Sequence, residues 1–386
     1  MFENKIIYLD NCSTTPIDPD VAKAINETMS SVFGNPSSIQ NNYGIQANIL
    51  TESSREKIAN FFNVKPKNII FTSGATESNN LILKGLYWQY RDKRNKIIIS
   101  AIEHSSVYET AITLKTDGAE LVVIKTNDKG EIDLQQLCDS LDEKTLIVSI
   151  IGANNEIGTV QDIEAISRIC KEKGILFHTD LAQAVGKIRI DLSKLGVDFA
   201  TLSAHKNYGP KGIGALYISD SAKQYKLKPL IEGGGQENNI RSGTLNVPLI
   251  VGFAKSLEIS KLKMEEEIVK IKTLRLKLEK LIFSKCPDAV LNSVQENRLP
   301  GVLNFHFSTI PVNSIINELR TKVAFSTGSA CGESSNKGSR VLYSLGLSEF
   351  AAKNSIRLCV GRFNTEDDIE RASEFFEEAY KKLKIF

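Results

Sequence analysis

The sequence predicts an α/β fold: a large domain whose mostly parallel mixed sheet is flanked by helices, and a smaller α+β domain. Three observations support this. The 386 residues are too many for one simple core. Strand-like and helix-like segments alternate through the first two thirds, as in parallel sheets covered by helices. After about residue 255 the pattern changes, so we expect a large domain over 15–258 and a small domain formed by 1–14 and 259–386.

The elements of the large domain follow one another in pairs. "NIIFTSG" is a strand before the helix "ATESNNLILKGLYWQYR", and "KIIISAIEH" is a strand before "SSVYETAITLKTDG". "ELVVIKT" is the next strand, "TLIVSIIGANNEIG" precedes the helix "DIEAISRICKEKG", and "ILFHTD" precedes "LAQAVG". The segment "KSLEISKLKMEEEIVKIKTLRLKLEKLIF" then predicts a long amphipathic helix that leads into the small domain.

Composition excludes several classes of protein. Net charge is +2 with 24% charged residues of both signs, which gives no reason to expect direct nucleic-acid or membrane binding. No apolar run reaches the roughly 18 residues that span a bilayer. The start "MFENKIIYLD" lacks a signal-peptide pattern, so a cytoplasmic protein is expected. Six cysteines without CxxC spacing indicate free thiols rather than disulfides or a zinc site.

Unusual polar residues collect where the predicted strands end, which is where ligands bind in such sheets. Ser73 to Thr76 begin a helix with small residues, which fits either a phosphate cradle or an ordinary capped helix. His104 follows a strand and is either structural or catalytic. Asn155 lies in a glycine-flanked loop. Asp180 ends a strand, either as a helix cap or as a carboxylate that grips a cationic heterocycle.

A lysine completes this set of residues. Lys206, in "LSAHKNYGPKGIGALYI", lies between two apolar strands. A lysine there is costly unless it is paired or covalently used, and burial of an amine favours nucleophilic attack on carbonyls. An aldehyde cofactor with a phosphate and a pyridine nitrogen requires an amine, a carboxylate and a phosphate cradle. The residues therefore predict a pyridoxal 5′-phosphate site.

The sequence also resembles a known family over nearly its whole length. It is similar to the cysteine desulfurases of the NifS/IscS-like kind, in the class V aminotransferase group of fold-type I pyridoxal-phosphate enzymes. Ten segments carry the resemblance, in chain order: "YLDNCSTTPIDPDV", "FGNPSS", "FTSGATESNN", "EHSSV", "NNEIGT", "HTDLAQAVGK", "LSAHKNYGPKGIGALYI", "GGGQENNIRSGTLNVP", "STGSACGE" and "IRLCVGRFNTEDDI".

The resemblance implies a role for each matching residue in cofactor binding. Lys206 would bind the cofactor covalently, Asp180 would pair with the pyridine nitrogen, and Gln183 would hydrogen-bond the ring hydroxyl. His104 would stack on the ring and take part in proton transfer. Thr244 would reach the phosphate from a partner subunit, which implies a homodimer. The other residues expected at the cofactor are Ala75, Thr76, Asn155, Ser203 and His205.

The resemblance also implies the substrate and a nucleophile. Asn155 and Arg357 would hold the carboxylate of L-cysteine, and Cys331 would take its sulfur as a persulfide while L-alanine leaves. From the residues alone, "STGSACGESSNKGSR" has no large apolar side chain, which predicts an exposed loop of the small domain with one thiol. Cys12, in the polar segment "DNCSTTP", is the alternative nucleophile.

Enzymes of this kind pass sulfur to protein acceptors in iron–sulfur cluster assembly, tRNA thiolation and DNA phosphorothioation. The chain departs from the usual pattern at Gln40, at Asn238 and Asn239, and at Lys337 and Gly338 after the cysteine. These departures bear on which acceptor docks. The rival interpretations are an aminotransferase of the same fold type, a selenocysteine lyase, and a sulfur-relay or scaffold protein that releases little alanine.

Overall fold

The computed structural model describes residues 6–292, 296–327 and 338–384. Thirteen strands lie in this part of the chain. Their bounds are β1 Ile7–Tyr8, β2 Ile69–Thr72, β3 Lys96–Ser100, β4 Glu120–Ile124, β5 Thr145–Ile151, β6 Leu176–Asp180, β7 Phe199–Ser203, β8 Gly214–Ile218, β9 Ala289–Leu291, β10 Val302–Phe307, β11 Val323–Ala324, β12 Ser326–Thr327 and β13 Ser355–Cys359.

Twelve α-helices connect and cover these strands within the same ranges. Their bounds are α1 Pro19–Ser31, α2 Asn42–Phe61, α3 Ala75–Tyr90, α4 Ser105–Thr116, α5 Leu134–Ser140, α6 Ile163–Glu172, α7 Leu192–Leu195, α8 Val247–Lys285, α9 Val312–Leu319, α10 Arg340–Ser344, α11 Glu349–Lys353 and α12 Glu366–Lys384. None of the described helices is long and apolar enough to cross a membrane.

The central sheet has seven strands in the order β2-β8-β7-β6-β5-β3-β4. Only β8 is antiparallel to its neighbours, which confirms the mostly parallel, mixed sheet predicted from the sequence. Successive residues of a strand point to opposite faces. Val148 therefore packs with α2, α6 and the first half of α8, whereas Ile147 packs with α3 and α4.

A second sheet is antiparallel, in the order β12-β13-β10-β9. Its core joins Phe305 and Leu358 of the strands to Leu278 of α8, Ile315 of α9 and Phe376 of α12. The short strands β1 and β11 pair in parallel beside it. The expected boundary between residues 258 and 259 falls inside α8, so the two-domain division stays a prediction.

One segment differs from its expected conformation. "LAQAVG", after β6, forms successive turns rather than a helix. The Oδ1 atom of Asp180 accepts a hydrogen bond from Ala182 N (2.9 Å), which closes a turn and does not cap a helix. The carboxyl ends of β2, β3, β5, β6 and β7 meet at one edge of the central sheet, and the turns after β6 keep that edge open.

Candidate active site

A cavity of about 520 Å³ lies at this edge of the central sheet. Its wall combines the loops after β2, β3, β5, β6 and β7 with residues that follow β1. Eight of the residues predicted for the site line it: Ala75, Thr76, His104, Asn155, Asp180, Gln183, His205 and Lys206. The sequence placed these residues in five separate loops, and the parallel strand order brings the loops together.

One wall of the cavity is the N-terminal end of helix α3. Gly74 precedes the helix with φ of 153°, a value that favours glycine, and no side chain caps the helix. By contrast, Asp18 and Asn41 cap α1 and α2. Within the described part of the chain, the buried hydroxyl of Ser203 has no hydrogen-bond partner. Open backbone N–H groups and a spare hydroxyl are what a phosphate group requires.

A buried carboxylate occupies the floor of the cavity. Asp180 is only 3% exposed, and its Oδ2 accepts a hydrogen bond from Asn79 Nδ2 (2.7 Å). Asn79 also donates to Ser106 Oγ (2.8 Å), so it links α3 to the start of α4. Sequence reasoning missed Asn79, although its place one helical turn after the phosphate-type loop was a signal.

The amine of Lys206 is held by the segment that follows β1. Nζ donates to the carbonyl oxygens of Cys12 (2.7 Å) and Ser13 (2.6 Å). Gln183 Nε2 donates to the same Cys12 carbonyl (2.7 Å), while its Oε1 accepts from Lys187 Nζ (2.8 Å). The resemblance implied a role for Gln183 on the cofactor ring and none for Ser13 or Lys187. The contacts with Cys12 and Ser13 join residues more than 170 positions apart, which no local pattern reveals.

Two histidines line the cavity in the neutral form. Burial lowers the pKa of His104, and burial together with the charge of Lys206 lowers the pKa of His205 to about 4. Ser106 N donates to Nδ1 of His104 (3.1 Å), which places the proton of the neutral ring on Nε2. His104 can therefore hold or pass a proton at Nε2 near neutral pH.

Next to His104 lies an acidic side chain that the sequence did not single out. Glu103 is fully buried, and burial raises the pKa of its carboxyl to about 8. Its Oε1 accepts hydrogen bonds from Ser100 Oγ (2.5 Å) and Ile151 N (2.7 Å). This carboxyl fixes the ends of β3 and β5 relative to each other, and so positions His104.

Arg357 lies behind the cavity wall rather than in it. The residue is 1% exposed, and its Nη2 donates to Asp10 Oδ1 (2.9 Å) and Ser13 Oγ (2.7 Å). Its Nη1 donates to the carbonyl oxygen of Asn155 (3.1 Å). Ser13 and Asn155 both line the cavity, so Arg357 contacts two residues of the cavity wall from behind.

The remaining predicted residues lie elsewhere or outside the described ranges. Thr244 is exposed and does not line the cavity. Cys331 falls in 328–337, outside the residues that the structure describes. Cys12, the alternative nucleophile, is 1% exposed, and its sulfur lies against Cys359 rather than in the cavity.

A cavity that combines an amine, a buried carboxylate and an open helix N-terminus fits pyridoxal phosphate. The amine can bond the aldehyde, the carboxylate can pair with the ring nitrogen, and the helix N-terminus can bind the phosphate. On this fold, the combination defines a fold-type I pyridoxal-phosphate enzyme. The family model described as Aminotransferase class-V matches residues 7–372, and the chain belongs to that family.

Named relatives span the whole chain. Cysteine desulfurase IscS of Rickettsia typhi (strain ATCC VR-144 / Wilmington) is 42% identical over 98% of this chain and 92% of its own length. A solved structure of a NifS-like protein is 36% identical over 99% of this chain and 100% of its own, with a TM-score of 0.91. "SspA in complex with cysteine" is 34% identical over 93% and 99%, with a TM-score of 0.79.

Proposed function

We propose that this chain is a pyridoxal-phosphate-dependent cysteine desulfurase, which converts L-cysteine to L-alanine and moves the sulfur to Cys331. The single observation that carries the proposal is the cavity in which Lys206, Asp180 and the open start of α3 meet. Relatives named cysteine desulfurase support the substrate, as does the structure named SspA in complex with cysteine. The role of Cys331 rests on the sequence alone, because Cys331 lies outside the described residues.

The residues at the cavity suit the cofactor's three polar groups. Lys206 would bond the aldehyde, and Asp180 would pair with the ring nitrogen. The phosphate would be held at the start of α3 by Ala75 and Thr76, with the spare hydroxyl of Ser203 and with His205. Bound there, pyridoxal phosphate supplies an electron sink for the pair left on the substrate's α-carbon.

The chain's own residues would orient the substrate and move its protons. Arg357 is held by Asp10 and donates hydrogen bonds to Asn155 and Ser13 from behind the cavity wall. Its positive charge therefore favours a carboxylate at that wall. We place the substrate carboxylate there. His104, neutral and protonated at Nε2, would pass a proton at the end of β3, where Glu103 fixes its backbone.

The sulfur transfer balances without an external oxidant. The thiolate of Cys331 attacks the substrate sulfur, and an S–S bond forms as the substrate Cβ–Sγ bond breaks. The electron pair of the broken bond stays with the carbon, which takes up a proton. The products are L-alanine and a persulfide on Cys331, from which a thiol of a sulfur-acceptor protein would take the outer sulfur.

A cytoplasmic location stays a prediction.

We also infer a homodimer. Six large apolar side chains of α1, α2 and their connection are exposed, and a second copy of this chain would cover them: Met29, Phe33, Ile39, Tyr43, Ile45 and Ile49. A cavity of about 590 Å³ is lined by Ile39 together with Gln236 and Leu245, so the loop of Thr244 lies next to one edge of this apolar surface. Thr244 would then reach the partner's phosphate group.

The oligomer is tested by sedimentation of the Phe33→Asp and Ile49→Asp variants. We expect the wild type to sediment as a dimer and both variants to dissociate and to bind the cofactor less tightly. Val290→Asp, an exposed apolar position on β9, is the matched control and should remain dimeric. A wild type that is monomeric with full cofactor occupancy contradicts the proposed dimer.

The activity is tested by alanine and sulfide release from L-cysteine with a thiol reductant. We compare the wild type with Lys206→Ala, Cys331→Ser and Cys138→Ser, the last being a control in helix α5. We expect turnover by the wild type and the control, and its loss in the other two. Sulfide release by Cys331→Ser at the wild-type rate would exclude the proposed nucleophile. Amino-group transfer to an oxoacid without sulfide would indicate an aminotransferase.

A further inference from the structure

Two cysteines that the proposed mechanism does not use lie side by side behind Lys206. The sulfur atoms of Cys12 and Cys359 are 2.7 Å apart, against about 2.05 Å for a disulfide bond. They are 1% and 3% exposed, respectively. A pair of thiols at this spacing is a candidate for covalent chemistry of its own.

The backbone keeps the two cysteines together. Cys359 ends strand β13, and its N–H donates to the carbonyl oxygen of Leu9 (2.6 Å). Its own carbonyl oxygen accepts from the side chain of Asn11 (2.8 Å) and from the Asn11 backbone (3.4 Å). The segment from residue 9 to residue 12 therefore lies along β13, and the backbones that carry the two sulfur atoms are held side by side.

The charges around the pair favour one thiolate. The hydrogen bond between the two sulfur atoms lowers the pKa of Cys12 against the effect of burial, and the positive charges of Lys187, Arg357 and Lys206 lower it further. Burial raises the pKa of Cys359. Cys12 therefore has the lower pKa of the two and is the thiol that ionises more readily, which makes it the expected nucleophile of the pair.

We propose that Cys12 and Cys359 are an oxidation site: hydrogen peroxide converts them to a reversible disulfide that alters how Lys206 is held. The Cys12 thiolate attacks a peroxide oxygen, and the O–O bond breaks. Hydroxide departs, and Cys12 becomes a sulfenic acid. The sulfur of Cys359 then attacks the Cys12 sulfur, and the S–O bond breaks with loss of water. Two thiols are oxidised and one peroxide is reduced to two waters.

The link to Lys206 is the backbone of Cys12. The Cys12 carbonyl oxygen accepts hydrogen bonds from Lys206 Nζ and from Gln183 Nε2, both at 2.7 Å. Forming the disulfide shortens the distance between the sulfur atoms by about 0.7 Å, because the bond is about 2.05 Å long. We expect part of this displacement to reach the Cys12 backbone. In the cofactor-loaded protein the Lys206 nitrogen is joined to the aldehyde, so the change acts on the site through the Gln183 amide that is bonded to the Cys12 carbonyl.

Burial makes the site selective for small oxidants. Both thiols are nearly inaccessible, so a bulky disulfide such as oxidised glutathione cannot approach them, whereas a peroxide is about the size of two water molecules. The cavity comes within one residue of Cys12, because Ser13 and Thr14, which directly follow Cys12, line it. Disulfides of this kind in reducing compartments are transient and redox-sensing rather than structural.

The test uses the cofactor-loaded Cys331→Ser protein, which lacks the thiol assigned to sulfur transfer. It is treated with hydrogen peroxide, free thiols are blocked, and peptides are identified by mass spectrometry. We expect a cross-link between the peptides that contain Cys12 and Cys359 in most molecules. The double variants that add Cys12→Ser or Cys359→Ser should lack it, as should protein treated with oxidised glutathione.

The second measurement is the visible absorption of the bound cofactor, recorded without substrate. We expect the band to shift on oxidation and to return with dithiothreitol, in step with the cross-link. Absence of the cross-link overturns the proposal, and so does a cross-link that leaves the absorption unchanged. Neither measurement requires turnover, so failure of the desulfurase proposal would be seen separately.

Discussion

The guanidinium of Arg362 lies over the ring of Tyr208, 4.0 Å from its centre, and the backbone N–H of Arg362 donates to the Tyr208 hydroxyl (2.5 Å). Tyr208 follows Lys206 by two residues and has a φ of 57°, which is costly for a bulky side chain. The loop that carries the cofactor lysine is therefore held in place from the C-terminal part of the chain.

Arg362 should contribute strongly to stability. Its guanidinium pairs with Asp18 (2.8 Å) and Glu267 (2.6 Å), and all three side chains are nearly buried. Arg362→Met leaves two buried carboxylates without their cation, so we expect the free energy of unfolding to fall by about 3–5 kcal/mol. Equilibrium unfolding in urea measures the change.

The matched control is Arg371→Met, which removes an exposed ion pair with Asp367 (3.6 Å) on α12. Because exposed pairs are screened by solvent, we expect a change below about 1 kcal/mol. Equal effects of the two variants would show that burial of the Arg362 cluster does not determine its contribution.

Asn79 should matter for cofactor binding although it does not line the cavity. Its amide donates to the carboxylate of Asp180 (2.7 Å), the group assigned to the pyridine nitrogen. A hydrogen bond to a charged group is worth about 1.5–3 kcal/mol, so Asn79→Ala should weaken pyridoxal-phosphate binding by roughly tenfold or more. Titration of the apoprotein with the cofactor, followed by absorbance, gives the dissociation constant.

Asn80→Ala is the control for that titration. Asn80 is the next residue of α3, and its side chain donates only to the carbonyl oxygen of Thr76 (2.9 Å) at the surface. We expect a dissociation constant close to that of the wild type. If both alanine variants weaken binding equally, the effect comes from helix α3 as a whole and not from Asp180.

His178 should make the protein less stable in acid. It is fully buried in β6 between Ser149 Oγ (2.8 Å) and Thr201 Oγ1 (3.0 Å), and burial lowers its pKa to about 3. In the unfolded chain the pKa is about 6.5, so protons bind the unfolded state first as the pH falls. The stabilisation is present above about pH 6.5 and is lost towards pH 3, by about 2 kcal/mol between pH 7 and pH 5.

Urea unfolding of the wild type and His178→Gln at these two pH values checks this. Glutamine can bond both hydroxyl groups but does not titrate, so the variant should lose less stability in acid. His306→Gln, at a half-buried histidine, should change the slope less. Parallel pH profiles for the wild type and His178→Gln would rule out protonation of His178 as the cause.

Glu156 should have the opposite pH dependence. Burial raises the pKa of its carboxyl to about 7 from the ordinary 4.5, and its Oε2 accepts from Ser339 Oγ (2.5 Å) at the start of α10. The folded state therefore keeps a proton that the unfolded state has lost, so the stabilisation is greatest below pH 4.5 and disappears as the pH rises through 7.

Glu156→Gln keeps an acceptor for Ser339 without the buried charge. We expect its free energy of unfolding to exceed that of the wild type at pH 8, and the difference to shrink by about 2 kcal/mol at pH 5. Glu164→Gln, an exposed change in the first turn of α6, should show no such trend. A difference that grows towards pH 5 would contradict the assignment.

The sequence alone determined the mixed α/β sheet and the residues at its strand ends. Apolar periodicity is a local property, and the rule that ligands bind at the carboxyl ends of parallel strands made Lys206, Asp180 and His104 candidates for the site. The family resemblance then assigned their roles. The ordered motifs identified the family, and the structure places the three residues around one cavity.

Only the tertiary structure decided what surrounds those residues. Three contacts join segments separated by about 100 to 350 positions: Asn79 with Asp180, Ser13 with Lys206, and Cys12 with Cys359. Such contacts depend on how elements pack, which side-chain periodicity does not encode, because the period of a strand or helix specifies which face is buried but not its partner. Cys12 shows this: its polar neighbours in the sequence suggested an accessible thiol, and packing against β13 buries it.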